Sequence, residues 1–144
     1  MTAPGKGGRL LAVDFGERRI GLAISDPTGT IASPVGAITR RSGKRVPVAE
    51  LIRRATELEA TGFVLGLPLD GEGNDLPRAA EVRQIARQLR ERTELPVQLA
   101  DERFTTASAL RHVKEMGGTT RGRKEDVDAL AAAILLQGVL NGIR

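Results

Sequence analysis

The stretch RLLAVDFGERRIGLAIS, residues 9–25, decides the fold of this chain. It contains two apolar runs separated by a short turn that begins at Gly16, which is the pattern of a β-hairpin. Asp14 stands inside the first run. Because an unpaired charge is costly to bury, Asp14 either faces a cleft or a cation, or it caps the turn at Gly16.

Beyond the hairpin, short apolar runs alternate with residues at helical spacing. In chain order we predict a strand over Pro34–Thr39, a helix carrying Val48, Leu51, Ile52, Ala55 and Leu58 and closed by Gly62 as its C-cap, a strand over Phe63–Leu67, a helix carrying Val82, Ile85, Ala86 and Leu89, a strand over Val97–Ala100, a helix from Thr105 or Thr106 to Met116, and a last helix with a stripe of Val127, Leu130, Ala131, Ile134 and Leu135.

The resulting order is βββαβαβαα. A hairpin meander followed by βαβ units makes an α/β domain with a mixed five-stranded sheet flanked by helices, which is the ribonuclease H-like architecture. Residues 1–8, MTAPGKGG, have the small and polar composition of a disordered tail. We therefore expect one domain over residues 9–144.

Composition excludes several classes of protein. The chain has no cysteine, so a disulfide framework, a thiolate nucleophile and a cysteine zinc site are excluded, and its single histidine, His112, argues against a zinc hydrolase. Three phenylalanines, with no tyrosine or tryptophan, cannot supply the stacking platforms of single-strand binding modules. The net charge of +4 permits a polyanionic partner. No secretion signal or apolar run of membrane-spanning length occurs, so we expect a cytoplasmic protein without a membrane partner.

Two further carboxylates, like Asp14, lie in or next to predicted apolar elements. Glu102 comes directly after the last predicted strand, at the carboxyl end where functional groups of α/β sheets gather, although its charged neighbours also fit a surface cluster. Asp128 lies beside the apolar stripe of the last helix. Glu125 and Asp126 fit the simpler role of stabilising that helix dipole.

Three carboxylates from different elements would form a hard oxygen site for Mg²⁺ or Mn²⁺. Two such ions, about 3.5–4 Å apart, activate a water and stabilise the leaving oxygen of a phosphodiester. The sequence therefore predicts a metal-dependent nuclease with Asp14, Glu102 and Asp128 as catalytic residues and metal ligands.

Basic residues adjoin the predicted acidic site. We predict that they hold the phosphates of a nucleic acid on either side of the scissile bond. They are Arg19, Arg103, Arg121, Arg123 and Lys124. For the separate basic turn of residues 40–45 we prefer the simpler interpretation, that its side chains are solvated.

Four segments together carry a resemblance to a known family. They are VDFGERRIGLAISD (13–26), VLGLPLDGEGN (64–74), DERFTT (101–106) and KEDVDALAAAILLQ (124–137). In this order they resemble the YqgF family, also called RuvX, of RuvC-like Holliday junction resolvases. The resemblance implies a ribonuclease H-like fold and a metal-dependent nuclease that matures the small-subunit (16S) ribosomal RNA precursor. By position, the acidic triad of the family falls on Asp14, Glu102 and Asp128.

This chain departs from the family pattern before the last helix. Where the family often has Lys-Gly-Lys, it has Lys124-Glu125-Asp126. It also has Gly66-Leu67-Pro68 at the end of the fourth strand, where the better-known Holliday junction resolvases have an acidic residue. Two alternatives therefore stay open: a resolvase of four-way DNA, which would act as a symmetric homodimer, and a non-catalytic nucleic-acid-binding or transcription-associated factor.

Overall fold

The computed structural model describes residues 8–16, 18–40, 46–102 and 124–142, with the backbone alone for 124–126. The predicted tail, except for Gly8, and the helix predicted to end at Met116 lie outside these residues. In chain order the described elements are β1 (Arg9–Phe15), β2 (Arg19–Ser25), β3 (Ala32–Thr39), α1 (Val48–Glu57), β4 (Ala60–Leu67), α2 (Ala79–Thr93), β5 (Val97–Asp101) and α3 (Lys124–Leu140).

The strands form a mixed five-stranded sheet in the order β3-β2-β1-β4-β5. β1 and β2 form the antiparallel hairpin predicted from residues 9–25, and β3 continues it as a meander. β4 lies parallel to β1, and β5 lies parallel to β4. The predicted mixed sheet is confirmed, and its register sets Asp14 opposite Gly21 and Val13 opposite Leu65.

Helices cover both faces of the sheet. Leu11 and Val13 belong to the core on the side of α1 and α2, whereas Leu10 and Ala12 pack with the apolar residues of α3. Because side chains alternate between the faces of a strand, Asp14 shares the α3 face with Leu10 and Ala12. The alternation of side chains along β1 therefore places the single carboxylate of this strand on the α3 side of the sheet.

Two predictions about helix ends and faces are wrong. Gly62 is not the C-cap of α1: the helix ends at Glu57, Glu59 takes the left-handed conformation with φ 58°, and Gly62 already lies inside β4. The strand begins earlier than predicted because its first residues pair with β1 at Arg9 and Leu10.

The predicted stripe of α3 is also partly wrong. Leu130 is 43% exposed, whereas Ala132 and Leu136 are fully buried against the sheet. The helix is apolar on most of its circumference, so its sequence alone does not fix which side faces the sheet. The four buried positions predicted for α2, by contrast, are confirmed.

No described helix is both long enough and apolar enough to cross a membrane.

Candidate active site

The three predicted carboxylates are buried. Asp14 is 3% exposed, Glu102 8% and Asp128 7%, and they are the buried charged residues in the part of the chain that the structure describes. Burial of a charged group is expensive unless other groups compensate it. Three such groups in one small domain therefore indicate a site that is maintained against this energetic penalty.

The second turn of α3 lies directly across β2 beside Asp14. Gly21, the partner of Asp14 in the hairpin register, faces the backbone of Asp128 so closely that a Cβ atom at position 21 would overlap the Asp128 carbonyl oxygen. Paired residues of antiparallel strands share a face of the sheet. Asp14 and the start of α3 are thus neighbours on the same face.

Glu102 reaches the same region from the other side of β1. It follows β5 directly, and a Cβ atom at Gly66 would lie 3.0 Å from its carboxyl carbon Cδ. Since Leu65 pairs with Val13, Gly66 is level with Asp14 on the adjacent parallel strand. The structure therefore brings all three acidic residues to the carboxyl end of β1, on the α3 face.

Arg19 pairs with one of the three carboxylates. Its Nε donates to Oδ2 of Asp128 at 2.8 Å, and the two side chains are 17% and 10% exposed. The guanidinium offsets part of the negative charge of the acidic cluster and stabilises Asp128 in the interior. The sequence predicted Arg19 near the site, but as a phosphate ligand and not as a partner of Asp128.

Two arginines hold the turn after Asp14: Arg78, for which the sequence predicts no role, and Arg40, which it predicts to be solvated. Arg78 donates from Nη1 to the carbonyl oxygen of Phe15 at 3.1 Å. Arg40 donates from Nη1 to the carbonyl oxygen of Gly16 at 3.1 Å and from Nη2 to Glu81 Oε2 at 3.0 Å. The prediction of a solvated side chain is thus wrong for Arg40. No local pattern signals these contacts, because the partners lie 24 and 63 residues apart.

α3 is fixed at its other end as well. The side-chain amide of Gln137 donates to the carbonyl oxygen of Thr30 at 2.9 Å, and its Oε1 accepts from the amide of Ala32 at 3.0 Å. These contacts join the helix to the edge of the sheet at β3. Together with the close approach at Gly21, they restrain the helix that carries Asp128.

The donor set fits a hard divalent cation, because it consists of carboxylates and contains no softer ligand. Within the described ranges, no three His, Asp or Glu side chains are gathered around one point as they would be around a metal ion. In this arrangement Asp128 is bound to Arg19.

The remaining predicted site residues are not described. Arg103, Arg121 and Arg123 lie outside the described residues, and Lys124 is placed by its backbone alone as the first residue of α3. Their assignment to nucleic-acid binding stays a prediction.

The match to a family model and the similarity to individual proteins point to the same family. The model of a family described as "RuvX: Holliday junction resolvase" matches residues 8–142. A protein of Rickettsia bellii (strain OSU 85-389) is 37% identical over 134 residues, which cover 93% of this chain and 86% of that protein. One of Clavibacter michiganensis subsp. michiganensis is 41% identical over 133 residues, 92% of this chain and 83% of its own. Both are named "Putative pre-16S rRNA nuclease".

Solved structures confirm the architecture. RuvC of T. thermophilus in complex with a Holliday junction substrate superposes with a TM-score of 0.56 at 13% identity, over 94% of each chain. The Fowlpox virus resolvase in complex with Holliday junction DNA gives a TM-score of 0.56 at 12% identity, over 94% of this chain and 98% of that one. The predicted ribonuclease H-like fold is confirmed.

Proposed function

The chain belongs to the RuvX family, and from this premise we propose that it is a metal-dependent nuclease that cleaves phosphodiester bonds of a 16S ribosomal RNA precursor. The names of the relatives from Rickettsia bellii and Clavibacter michiganensis support this substrate. The reaction is the hydrolysis of an ester bond in structured nucleic acid. A nuclease of this RNA works in the cytoplasm of a bacterial cell.

One observation carries the proposal. Of all charged residues that the structure describes, the buried ones are Asp14, Glu102 and Asp128, and all three lie at the same end of the sheet on the same face. A fold without function would gain stability by replacing them with apolar residues. A non-catalytic binding factor would also gain nothing from negative charge beside phosphate. Catalysis accounts for their presence.

The three carboxylates would hold the metal, and the donor set suits Mg²⁺ or Mn²⁺, with two ions as the expected number. Bound there, the metal supplies an activated water and a counter-charge for the leaving oxygen. Because three neighbouring carboxylates repel one another, Arg19 offsets part of their charge in the free protein. Asp128 would exchange this partner for the cation.

Basic side chains would position the substrate. Released from Asp128, Arg19 can donate to a phosphate oxygen next to the scissile bond, as can Arg103. Arg121, Arg123 and Lys124 immediately precede the helix that carries Asp128, so we assign them to the backbone of the nucleic acid on that side. We take residues 9–144 as one nuclease domain, which agrees with the family match over residues 8–142.

A second candidate function is resolution of four-way DNA junctions, because the family description names it. Cutting two strands symmetrically would require a homodimer that places two such sites on one junction. The two functions share the acidic site and differ in substrate and assembly.

Cleavage assays test the proposal. We would incubate the protein with a 16S precursor fragment and with a four-way DNA junction, each with Mg²⁺ and with Mn²⁺, and compare wild type with Asp14→Asn. Glu57→Gln is the control, because Glu57 is an exposed acid of α1 on the opposite side of the sheet. We expect metal-dependent cleavage of the RNA by the wild type and the control but not by Asp14→Asn. Cleavage of the junction alone would favour the resolvase, and undiminished cleavage by Asp14→Asn would refute the carboxylate mechanism.

A further inference from the structure

We propose that Gly66 and Gly21 are positioning residues of the acidic site: by lacking a side chain, they leave room for Glu102 and Asp128 beside Asp14. This inference rests on the proposed function, because it assigns the two glycines to the same metal-binding carboxylates. Neither residue contacts the substrate in this assignment. Each acts through the acidic residue that lies against it.

Gly66 provides space for the Glu102 side chain. A Cβ atom at Gly66 would lie 3.0 Å from Cδ and 3.1 Å from Cγ of Glu102. Such distances are tighter than ordinary van der Waals contact, which for carbon atoms lies at about 3.5–4.0 Å. A Cβ at residue 66 would therefore push the Glu102 carboxylate out of its present place beside β1.

Gly21 provides space for the backbone of α3. A Cβ atom there would overlap the carbonyl oxygen of Asp128 and would lie 3.0 Å from the amide nitrogen of Ala129. Backbone cannot rotate away as a side chain can, so any larger residue at position 21 would move the second turn of α3 and Asp128 with it. Since Gly21 pairs with Asp14, the distance between Asp14 and Asp128 depends on Gly21.

The need at both positions is for space and not for backbone conformation. Neither Gly21 nor Gly66 has positive φ, in contrast to Gly36 at 101° and Gly73 at 88°. A glycine inside a strand with ordinary dihedral angles weakens that strand, since it contributes no packing and adds unfolded-state entropy. Both glycines flank Asp14, one on each neighbouring strand, which is where the two other acidic residues approach.

Gly66→Ala is the more informative variant, because Glu102 can move where backbone cannot. The added methyl displaces the carboxylate of Glu102 by a few tenths of an ångström or turns it away. Disturbing the groups that orient metal ligands typically lowers metal affinity by about 10–100-fold. We therefore expect Gly66→Ala to bind Mn²⁺ at least about 10-fold more weakly than wild type.

Gly62→Ala is a matched control in the same strand and on the same face. A Cβ atom at Gly62 would lie 2.9 Å from Leu10 Cδ2, so the variant is overpacked to a similar degree but at the far end of β4. We expect it to lose stability as Gly66→Ala does, but to keep the Mn²⁺ affinity of the wild type. This comparison separates positioning of a ligand from general strain in the strand.

The test measures Mn²⁺ binding by paramagnetic resonance of the free ion, up to millimolar concentration, with folding checked by circular dichroism. If Gly66 acts through Glu102, Gly66→Ala lowers the affinity about 10-fold in the wild-type background and less than about twofold in a Glu102→Gln background. Equal affinity of Gly66→Ala and wild type, or an equal loss in both backgrounds, overturns the inference. A wild type that binds no Mn²⁺ overturns the proposed metal function itself, which is a different result.

A double variant covers the case in which Gly66→Ala does not fold. The added methyl would then be tolerated once the opposing side chain is shortened, so Gly66→Ala/Glu102→Ala is expected to fold with a cooperative urea transition. If this double variant also fails to fold, the obstacle is Leu135, whose Cδ2 would lie 3.1 Å from the same Cβ, and the inference is wrong.

Discussion

Replacing Arg19 by glutamine would remove the guanidinium that pairs with the buried carboxylate of Asp128. Breaking a fully buried ion pair from one side destabilises a protein by about 3–5 kcal/mol, whereas exposed pairs contribute about 0.2–1 kcal/mol. The Arg19 and Asp128 side chains are 17% and 10% exposed, between these limits but nearer the buried one. We therefore expect Arg19→Gln to lower the free energy of unfolding by about 1–3 kcal/mol.

Urea denaturation measures this loss. For a slope of about 2 kcal/mol per molar urea, the transition midpoint falls by roughly 0.5–1.5 M. Asp128→Asn removes the charge that needs compensation, so Arg19→Gln should destabilise much less in that background, with a coupling of about 1–2 kcal/mol in the double-mutant cycle. Arg83→Gln, which breaks an exposed pair with Asp75, is the control and should lower the midpoint by at most about 0.5 M.

Mn²⁺ adds an independent measurement. If the cation replaces Arg19 beside Asp128, Mn²⁺ should raise the stability of Arg19→Gln more than that of the wild type, because it restores the missing positive charge. Additive effects of Arg19→Gln and Asp128→Asn, or an unchanged midpoint for Arg19→Gln, would refute the idea that Arg19 stabilises the buried carboxylate.

Three further predictions concern substrate binding and pH. Asp14→Asn should bind nucleic acid as tightly as the wild type or more tightly in a filter-binding assay, because it removes a negative charge next to phosphate, and weaker binding would contradict this. Replacing Arg121, Arg123 and Lys124 together by alanine should weaken binding to RNA and to duplex DNA. On duplex DNA, the slope of log binding constant against log salt concentration should become shallower by up to roughly 0.9 per lost phosphate contact. An unchanged slope over several salt concentrations would leave this segment without a role in binding. Hydrogen bonds from the Ile31 amide, the Thr28 hydroxyl and the Thr30 amide hold the pKa of Asp26 well below its usual value. Because the pKa of Asp26 is lower in the folded than in the unfolded protein, the ionised carboxylate stabilises the fold fully above about pH 4, and this contribution is lost as the pH falls through the folded pKa. The difference in free energy of unfolding between wild type and Asp26→Asn, measured in urea, should therefore shrink below about pH 4. A difference that stayed constant would contradict a depressed pKa for Asp26.

Local patterns in the sequence were sufficient for the described elements and their order. The hairpin of residues 9–25 follows from two apolar runs around a glycine turn, and the buried face of α2 follows from apolar residues at helical spacing. Both patterns involve only residues that are close together in the sequence. Burial of Asp14 was one of two open possibilities, and the structure decides it by placing this residue under α3.

Contacts between distant parts of the chain could not be predicted in this way. The pairing of Arg19 with Asp128 joins residues 109 positions apart, and Arg40 reaches Gly16 and Glu81 from a turn that the sequence marks only as basic. The C-cap of α1 was misplaced for a related reason, because pairing of β4 with β1 draws Gly62 into a strand. Each of these outcomes depends on which elements the sheet order brings together.

The sequence by itself determined the types and the order of the described elements, since hydrophobic periodicity is a local property, and it marked Asp14, Glu102 and Asp128 as candidate site residues. Only the tertiary structure decided that Gly21 lies against Asp128 and that Gly66 lies against Glu102. These two glycines stand on the strands on either side of Asp14. A glycine looks the same in the sequence whether it serves a turn or a close approach. Its role is set by the atoms that folding places against it, and these come from residues far along the chain.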